Sequence, residues 1–282
     1  MKKFIKILIV FILLISSILL YSRFIATKGL KTKEYKVVSS KITDHYHGLK
    51  IMHISDLHYG STVFEKQLEK IVQESNSLKP DIIVFTGDLT EKYSEENKEI
   101  IIKYLSQMKA KFGKYAVSGN HDENMEEFNN ILYQSDFVNL NDTYQLIYNN
   151  SNEPIIISGI SSNYHDDSKI DIKTEQFNNY ILNSTNSIKP IYSILLIHEP
   201  DYIDNLDLDN YDLILSGHSH GGQVRLPIIG KIYTPLGSKK YYNDYYQVNN
   251  TDLYISSGLG TSKAKLRLFN RPSINFYRIT NK

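Results

Sequence analysis

The chain opens on an apolar run, Phe4 to Leu20, broken only by Lys6 and the small polar pair Ser16-Ser17. Beyond it, short apolar runs alternate with polar loops and amphipathic stretches. Counted on through Ala26, the first run is long enough as a helix to cross roughly 30 Å of hydrocarbon. A terminal run with no polar face is a poor buried core helix. Two readings compete for it, a cleaved signal peptide and an uncleaved signal anchor. No small-x-small cleavage site follows, and Tyr21-Ser22-Arg23-Phe24 is a poor substitute, so residues 1–26 read as a single-pass membrane anchor.

Residues 27–49 read as a polar connector, and a globular domain is expected over residues 50–282. Lys50 to Ser55 predicts a strand. Phe64, Leu68, Ile71, Val72 and Leu78 then fall at helical spacing, and Pro80 stops that helix. Asp81 to Thr86 predicts the next strand. A second helix carries Ile101, Tyr104, Leu105 and Met108 on one face, before a strand at Tyr115 to Ser118 and a helical stretch near Met125 to Tyr133. Further strands are expected at Ile155–Gly159, Ile194–Ile197 and Asp212–Leu215, and the tail from Lys231 to Ile279 reads as strands with Gly-rich turns.

Charge is unevenly distributed. The first 33 residues hold seven basic side chains and no acidic one, so removing them from a formal net charge of +1 leaves −6 on the remainder. That balance argues against a general nucleic-acid binder. Lys2, Lys3 and Lys6 on one side of the apolar run face Arg23, Lys28, Lys31 and Lys33 on the other, so positive charge does not set the orientation. The signal-like character of the segment favours a domain on the extracytoplasmic side. The chain has no cysteine, which excludes disulfides and thiolate-bound zinc.

Most of the apolar strands end on polar residues able to bind metals. In chain order these are Asp56-Leu57-His58, Gly87-Asp88, Gly119-Asn120-His121-Asp122, His198 and Gly217-His218-Ser219-His220-Gly221-Gly222-Gln223. Carboxylate, amide oxygen and imidazole suit hard or borderline divalent ions. Asp56 and His58 are two apart, so on extended backbone they point the same way, and His218 and His220 repeat that spacing. Each motif alone is commonplace, and a lone His on an apolar strand is usually a core residue. Five in this order, most after buried-strand patterns, point to a two-metal phosphoesterase site.

On these motifs the chain resembles the calcineurin-like metallophosphoesterase superfamily. The Leu196-Ile197-His198-Glu199-Pro200 and His218-to-Gln223 forms behind an anchor are similar to a bacterial membrane-associated branch that includes UDP-2,3-diacylglucosamine pyrophosphatase-like phosphodiesterases. The resemblance implies an α/β fold, a four-layer α/β/β/α sandwich of two mixed sheets. It assigns Asp56, His58 and His220 to one metal and Asn120, His198 and His218 to a second, with Asp88 shared. It makes His121 the acid beside the leaving group and Asp122 its orienting carboxylate. Mn²⁺ is the metal it favours, with Fe²⁺ and Zn²⁺ equally compatible with the ligand types.

The expected activity is hydrolysis of phosphodiester or pyrophosphate bonds by a hydroxide bridging two cations about 3.5–4 Å apart, with a lipid-linked or nucleotide conjugate as substrate. A phosphomonoesterase and a non-catalytic tethered binding module are the alternatives. Lys239 to Tyr246 could form an aromatic lip, although an ordinary hairpin explains it at least as well. Arg225 and Arg267 are candidate phosphate clamps or surface ion-pair residues.

Overall fold

A computed structural model describes residues 2–162, 170–185 and 188–282. Helix α1 (Lys2–Phe24) precedes strand β1 (Lys31–Val38), and β2 (Leu49–Ile54) is followed by α2 (Glu65–Leu78), β3 (Ile82–Thr86), α3 (Glu95–Leu105) and β4 (Lys114–Val117). Then come α4 (Met125–Gln134), β5 (Phe137–Asn139), β6 (Thr143–Ile147), β7 (Ile155–Ile160), α5 (Ile170–Thr185), β8 (Tyr192–Ile197) and β9 (Leu213–Ser216). A short hairpin, β10 (Arg225–Leu226) with β11 (Gly230–Lys231), leads to β12 (Tyr245–Val248), β13 (Thr251–Ile255) and β14 (Ser273–Thr280).

The strands form two six-stranded mixed sheets, ordered β1-β14-β2-β3-β4-β5 and β12-β13-β9-β8-β7-β6. The apolar runs are continuous because both faces of each strand are covered. Ile82 and Val84 of β3 point into the layer between the sheets, where they meet Ile194 and Leu196 of β8 and Leu213 and Leu215 of β9. Ile83 and Phe85 point the other way, against Leu68, Ile71, Ile101 and Phe128 of the helices α2 to α4. Leu195, Ile197 and Ile214 pack with Phe177 and Ile181 of α5. The result is the expected α/β/β/α sandwich.

The helix limits follow local chemistry. Ser94 and Asn124 accept the backbone N–H groups of Asn97 and Glu127 at the starts of α3 and α4, with glutamates in each first turn. After α2, Lys79 takes a left-handed φ of 49° and Pro80 forbids continuation.

Residues 31–38, expected within a connector, form an edge strand that pairs in parallel with β14. Only Val37 of the eight is buried, which is why the stretch carries no apolar signature. β2, β3 and β4 run parallel, while β14 runs antiparallel to β2. β1 and β14 therefore start at the end of the sheet where β2, β3 and β4 finish. Helix α1 is exposed along its length to Tyr21 and joins the domain at that same end. It is long and apolar enough to cross a membrane.

Candidate metal centre

The polar loops follow the C-terminal ends of β2, β3, β4, β8 and β9, where an open α/β sheet places its chemistry. Asp56, His58, Asp88, His218 and His220 all take left-handed backbone conformations, with φ between 42° and 62°. Such conformations cost a non-glycine residue about 1–2 kcal/mol and are held here by bonds between the loops. The Asp56 N–H donates to the Gly87 carbonyl at 2.9 Å and the His58 N–H to the Asp88 carbonyl at 3.0 Å. Gly87 and Gly119 let two loops touch: a Cβ on Gly87, whose φ is +90°, would stand 2.4 Å from the Gly119 nitrogen.

Two clusters result. Asp56, His58 and His220 offer ligand atoms within 4.8 Å of one another, and so do Asp88, His198 and His218. Asp88 joins them, with Oδ2 at 3.3 Å from both His58 Nε2 and His198 Nε2. His220 Nε2 lies 3.3 Å from Asp56 Oδ1, and the His218 N–H donates to the same carboxylate at 3.1 Å. His198 Nδ1 is 2.5 Å from the Thr86 carbonyl and His218 Nε2 is 2.6 Å from the Leu236 carbonyl. Asp56, His58 and His198 are completely buried.

Burial opposes ionisation of Asp56, and with the repulsion of Asp88 it raises that carboxyl above the ordinary range. Burial pushes Asp88 the same way, but the charges of His198 and His58 and their hydrogen bonds hold it well below. Burial would lower His58, yet Asp88 and Glu91 lift it to about 10. Asp88 likewise holds His198 well above its usual value against burial. His218, buried beside cationic His198, falls to about 3. Asn120 Oδ1 and His220 Nδ1 are buried with no hydrogen-bond partner. Lone pairs converging from carboxylates, imidazoles and an amide, some unsatisfied, fit divalent cations.

The outer residues differ from expectation. Asp122, expected to orient His121, accepts the backbone N–H groups of Asp88 at 2.8 Å, Leu89 at 2.9 Å and Gly119 at 2.9 Å, and the Tyr93 hydroxyl at 2.8 Å. Its acceptor positions are spent on clamping the second and third ligand loops together. His121 stands at the rim, its N–H donating to Asp88 Oδ1 at 2.8 Å and its ring edge-on to His58 at 4.8 Å. The carboxylate grouped with His58 and His121 is Glu91, with Oε1 at 2.6 Å from His58 Nδ1. Glu91 was not singled out in the sequence, although it stands three residues after Asp88 in the same ligand loop.

A cavity of about 430 Å³ opens over Asp88, Asn120, His121, His218 and His220, and its far wall is Val224, Ile232, Tyr233 and Pro235. The tyrosines of residues 241–246 do not line it. The Tyr241 hydroxyl donates to Asp204 at 2.9 Å and the Tyr246 hydroxyl accepts the Tyr242 and Asn243 N–H groups, so the segment is a self-bonded hairpin entry. Arg267 is no phosphate clamp or surface residue. It is fully buried, Nη2 donates to the Gly258 and Gly260 carbonyls at 3.1 and 2.5 Å, and burial pushes it down to about 10. Arg225 donates to Asn243 Oδ1 at 2.9 Å.

The profile of the calcineurin-like phosphoesterase family matches residues 49–222, more than half of the chain. The chain belongs to that family. The uncharacterized metallophosphoesterase YkuE of Bacillus subtilis is 31% identical over 265 residues, covering 92% of this chain and 88% of its own. UDP-2,3-diacylglucosamine pyrophosphatase LpxG of Chlamydia muridarum is 28% identical over 294 residues, 83% of this chain and 84% of its own. A transmembrane protein with a metallophosphoesterase domain from Danio rerio is 27% identical over 278 residues, 93% of this chain and 60% of its own. This calcineurin-like chain is accordingly a hydrolase of phosphoester bonds, in a family that uses divalent metals.

Proposed function

We propose that this phosphoesterase is anchored in a membrane by α1 and hydrolyses phosphodiester or pyrophosphate bonds of lipid-linked or nucleotide conjugates. The observation that carries the reading is Asp88, a buried carboxylate set between two ligand clusters at equal distances of 3.3 Å from a histidine of each. The named activity of the LpxG relative supports the substrate class. The exposed apolar helix and the transmembrane relative support the anchor, and its signal-like sequence favours a domain on the extracytoplasmic side.

In this reading Asp56, His58 and His220 hold one divalent ion, and Asn120, His198 and His218 hold the second, with Asp88 shared. Mn²⁺ is the favoured ion, and the nitrogen and oxygen donors also suit Fe²⁺ and Zn²⁺. When bound, two such ions withdraw charge from a phosphoryl oxygen and acidify water. His121, at the rim beside the cavity, donates a proton to the departing oxygen. Asp122 and the left-handed loops keep the ligands in place before substrate arrives.

The test uses the full chain in detergent, stripped of metal and resupplied with Mn²⁺, on bis-p-nitrophenyl phosphate and p-nitrophenyl phosphate in parallel. A diester rate at least tenfold above the monoester rate supports the reading. Faster monoester turnover makes the protein a phosphomonoesterase, and metal binding without turnover of either compound, or of a UDP-diacylglucosamine substrate, leaves a tethered binding module.

A further inference from the structure

Ser22 marks where the apolar helix meets the domain. Every residue of α1 from Lys2 to Tyr21 is exposed, whereas Ser22 is buried and its carbonyl accepts the Arg267 N–H at 3.0 Å. As helix, Phe4 to Tyr21 rises about 27 Å, close to the roughly 30 Å of a hydrocarbon core. The headgroup level therefore falls at Ser22 and Arg23, against the loop that holds Arg267.

That loop is tied to the β10–β11 hairpin. Val224 bridges Leu268, the Arg225 N–H donates to the Leu268 carbonyl at 2.9 Å, and the Ser262 N–H reaches Gln223 Oε1 at 3.3 Å. The hairpin turn presents Ile228 and Ile229 to solvent at 108% and 71% exposure, and Ile232, Tyr233, Leu236 and Phe269 around it are also exposed. Scattered exposed hydrophobics are ordinary, but a contiguous group beside a membrane helix marks an interaction surface.

Positive charge predominates around this group, although the Asp201 carboxylate accepts the Lys239, Lys240 and Tyr241 N–H groups just past it. Residues 217–243 and 253–282 contain no Asp or Glu, as do residues 1–33. A groove of about 510 Å³ at the base of the hairpin is lined by Lys31, Lys33, Arg225 and Arg271, with Asp244 its single carboxylate. On the other side, Lys263 stands at the cavity rim. Isoleucines at a tip with lysines and arginines behind them complement an anionic bilayer, with aliphatic side chains at the acyl boundary and cations at the phosphates.

We propose that the 225–236 hairpin and the 262–269 loop dock on the bilayer that receives α1, so that the cavity opens at the lipid surface. An amphipathic phosphodiester or pyrophosphate then presents its phosphate to the metal ligands past Val224, Ile232 and Tyr233 while its acyl chains stay in the membrane. This deepens the anchored-phosphoesterase reading and rests on α1 being in a bilayer.

Because the chain lacks cysteine, a single Ile228→Cys in the full chain takes an environment-sensitive fluorophore at that position alone. Asn250→Cys, exposed in the turn before β13 at the opposite end of the second sheet, is the reference. In vesicles of phosphatidylcholine and phosphatidylglycerol carrying nitroxide-labelled acyl chains, the label at residue 228 should be quenched at least threefold more than the reference. Equal quenching at the two positions overturns the docking. Ile228→Glu with Ile229→Glu should keep the bis-p-nitrophenyl phosphate rate in detergent and lose at least tenfold on an acylated pyrophosphate diester in vesicles. An unchanged vesicle rate also overturns it. If the unsubstituted chain fails on the soluble diester, the catalytic reading falls, and quenching alone still decides the docking.

Discussion

The Asp122 carboxylate accepts the Asp88 backbone N–H at 2.8 Å, and through the same two oxygens it holds Leu89, Gly119 and the Tyr93 hydroxyl. Asp122→Asn replaces one acceptor oxygen with an NH₂ facing donors. Each buried donor left unsatisfied costs roughly 1–3 kcal/mol, so the variant should unfold at lower urea and bind metal less tightly. The shape of its pH–rate profile should be unchanged. A displaced acidic or basic limb with stability intact would return Asp122 to an orienting role on His121.

Glu91 fixes the His58 ring from behind, with its Oε1 at 2.6 Å from Nδ1. Removing such an outer partner typically costs 10–100-fold in metal affinity or activity. Glu91→Gln should weaken Mn²⁺ binding by about that factor while Glu95→Gln, on the exposed start of α3, leaves it unchanged. Isothermal titration of the metal-stripped chain reads the difference.

The contact between the second and third ligand loops admits no side chain at Gly87. An added Cβ meets the Gly119 nitrogen at 2.4 Å and His198 Nδ1 at 2.8 Å, on a φ that L residues rarely adopt. Gly87→Ala should therefore lose metal and hydrolysis together and lower stability by about 2 kcal/mol or more. Normal metal content in the purified variant contradicts this geometry.

His53 makes the fold sensitive to acid away from the metal ligands. It is buried, its Nε2 lies 2.8 Å from Thr86 Oγ1, and burial pushes it down to about 3. Between that value and about 6.5 the unfolded chain takes up a proton that the folded chain refuses. The contribution is complete above about 6.5 and is lost as pH falls toward 3, at up to about 1.4 kcal/mol per pH unit. His53→Gln should flatten the fall in urea stability between pH 6.5 and 4. An unchanged slope would show that another group dominates.

The strands that deliver the ligands were readable because both faces are apolar, as in Ile82 to Phe85 and Ile194 to Ile197. The ligand loops were readable because polar residues flanked by glycine interrupt those runs. Other features depend on contacts distant in sequence. β1 buries only Val37, so its pairing with a strand more than 200 residues away left no local trace. Asp122 sits in a ligand motif, yet its partners are backbone N–H groups placed by folding. Arg267 has the polarity of a surface residue and is buried with its Nη2 donating to the Gly258 and Gly260 carbonyls, contacts that only the fold supplies. The apolar cavity wall from Val224 to Pro235 lies on a hairpin too short to show a period.

The proposed function requires that the two clusters hold metal ions jointly through Asp88 and that those ions carry hydrolysis. The most direct measurement is metal content and bis-p-nitrophenyl phosphate turnover of the full chain against Asp88→Asn, each stripped and then reloaded with Mn²⁺. Two ions per chain and metal-restored turnover are expected in the natural chain, with both falling at least tenfold in the variant. Two ions and full turnover in Asp88→Asn would contradict that function.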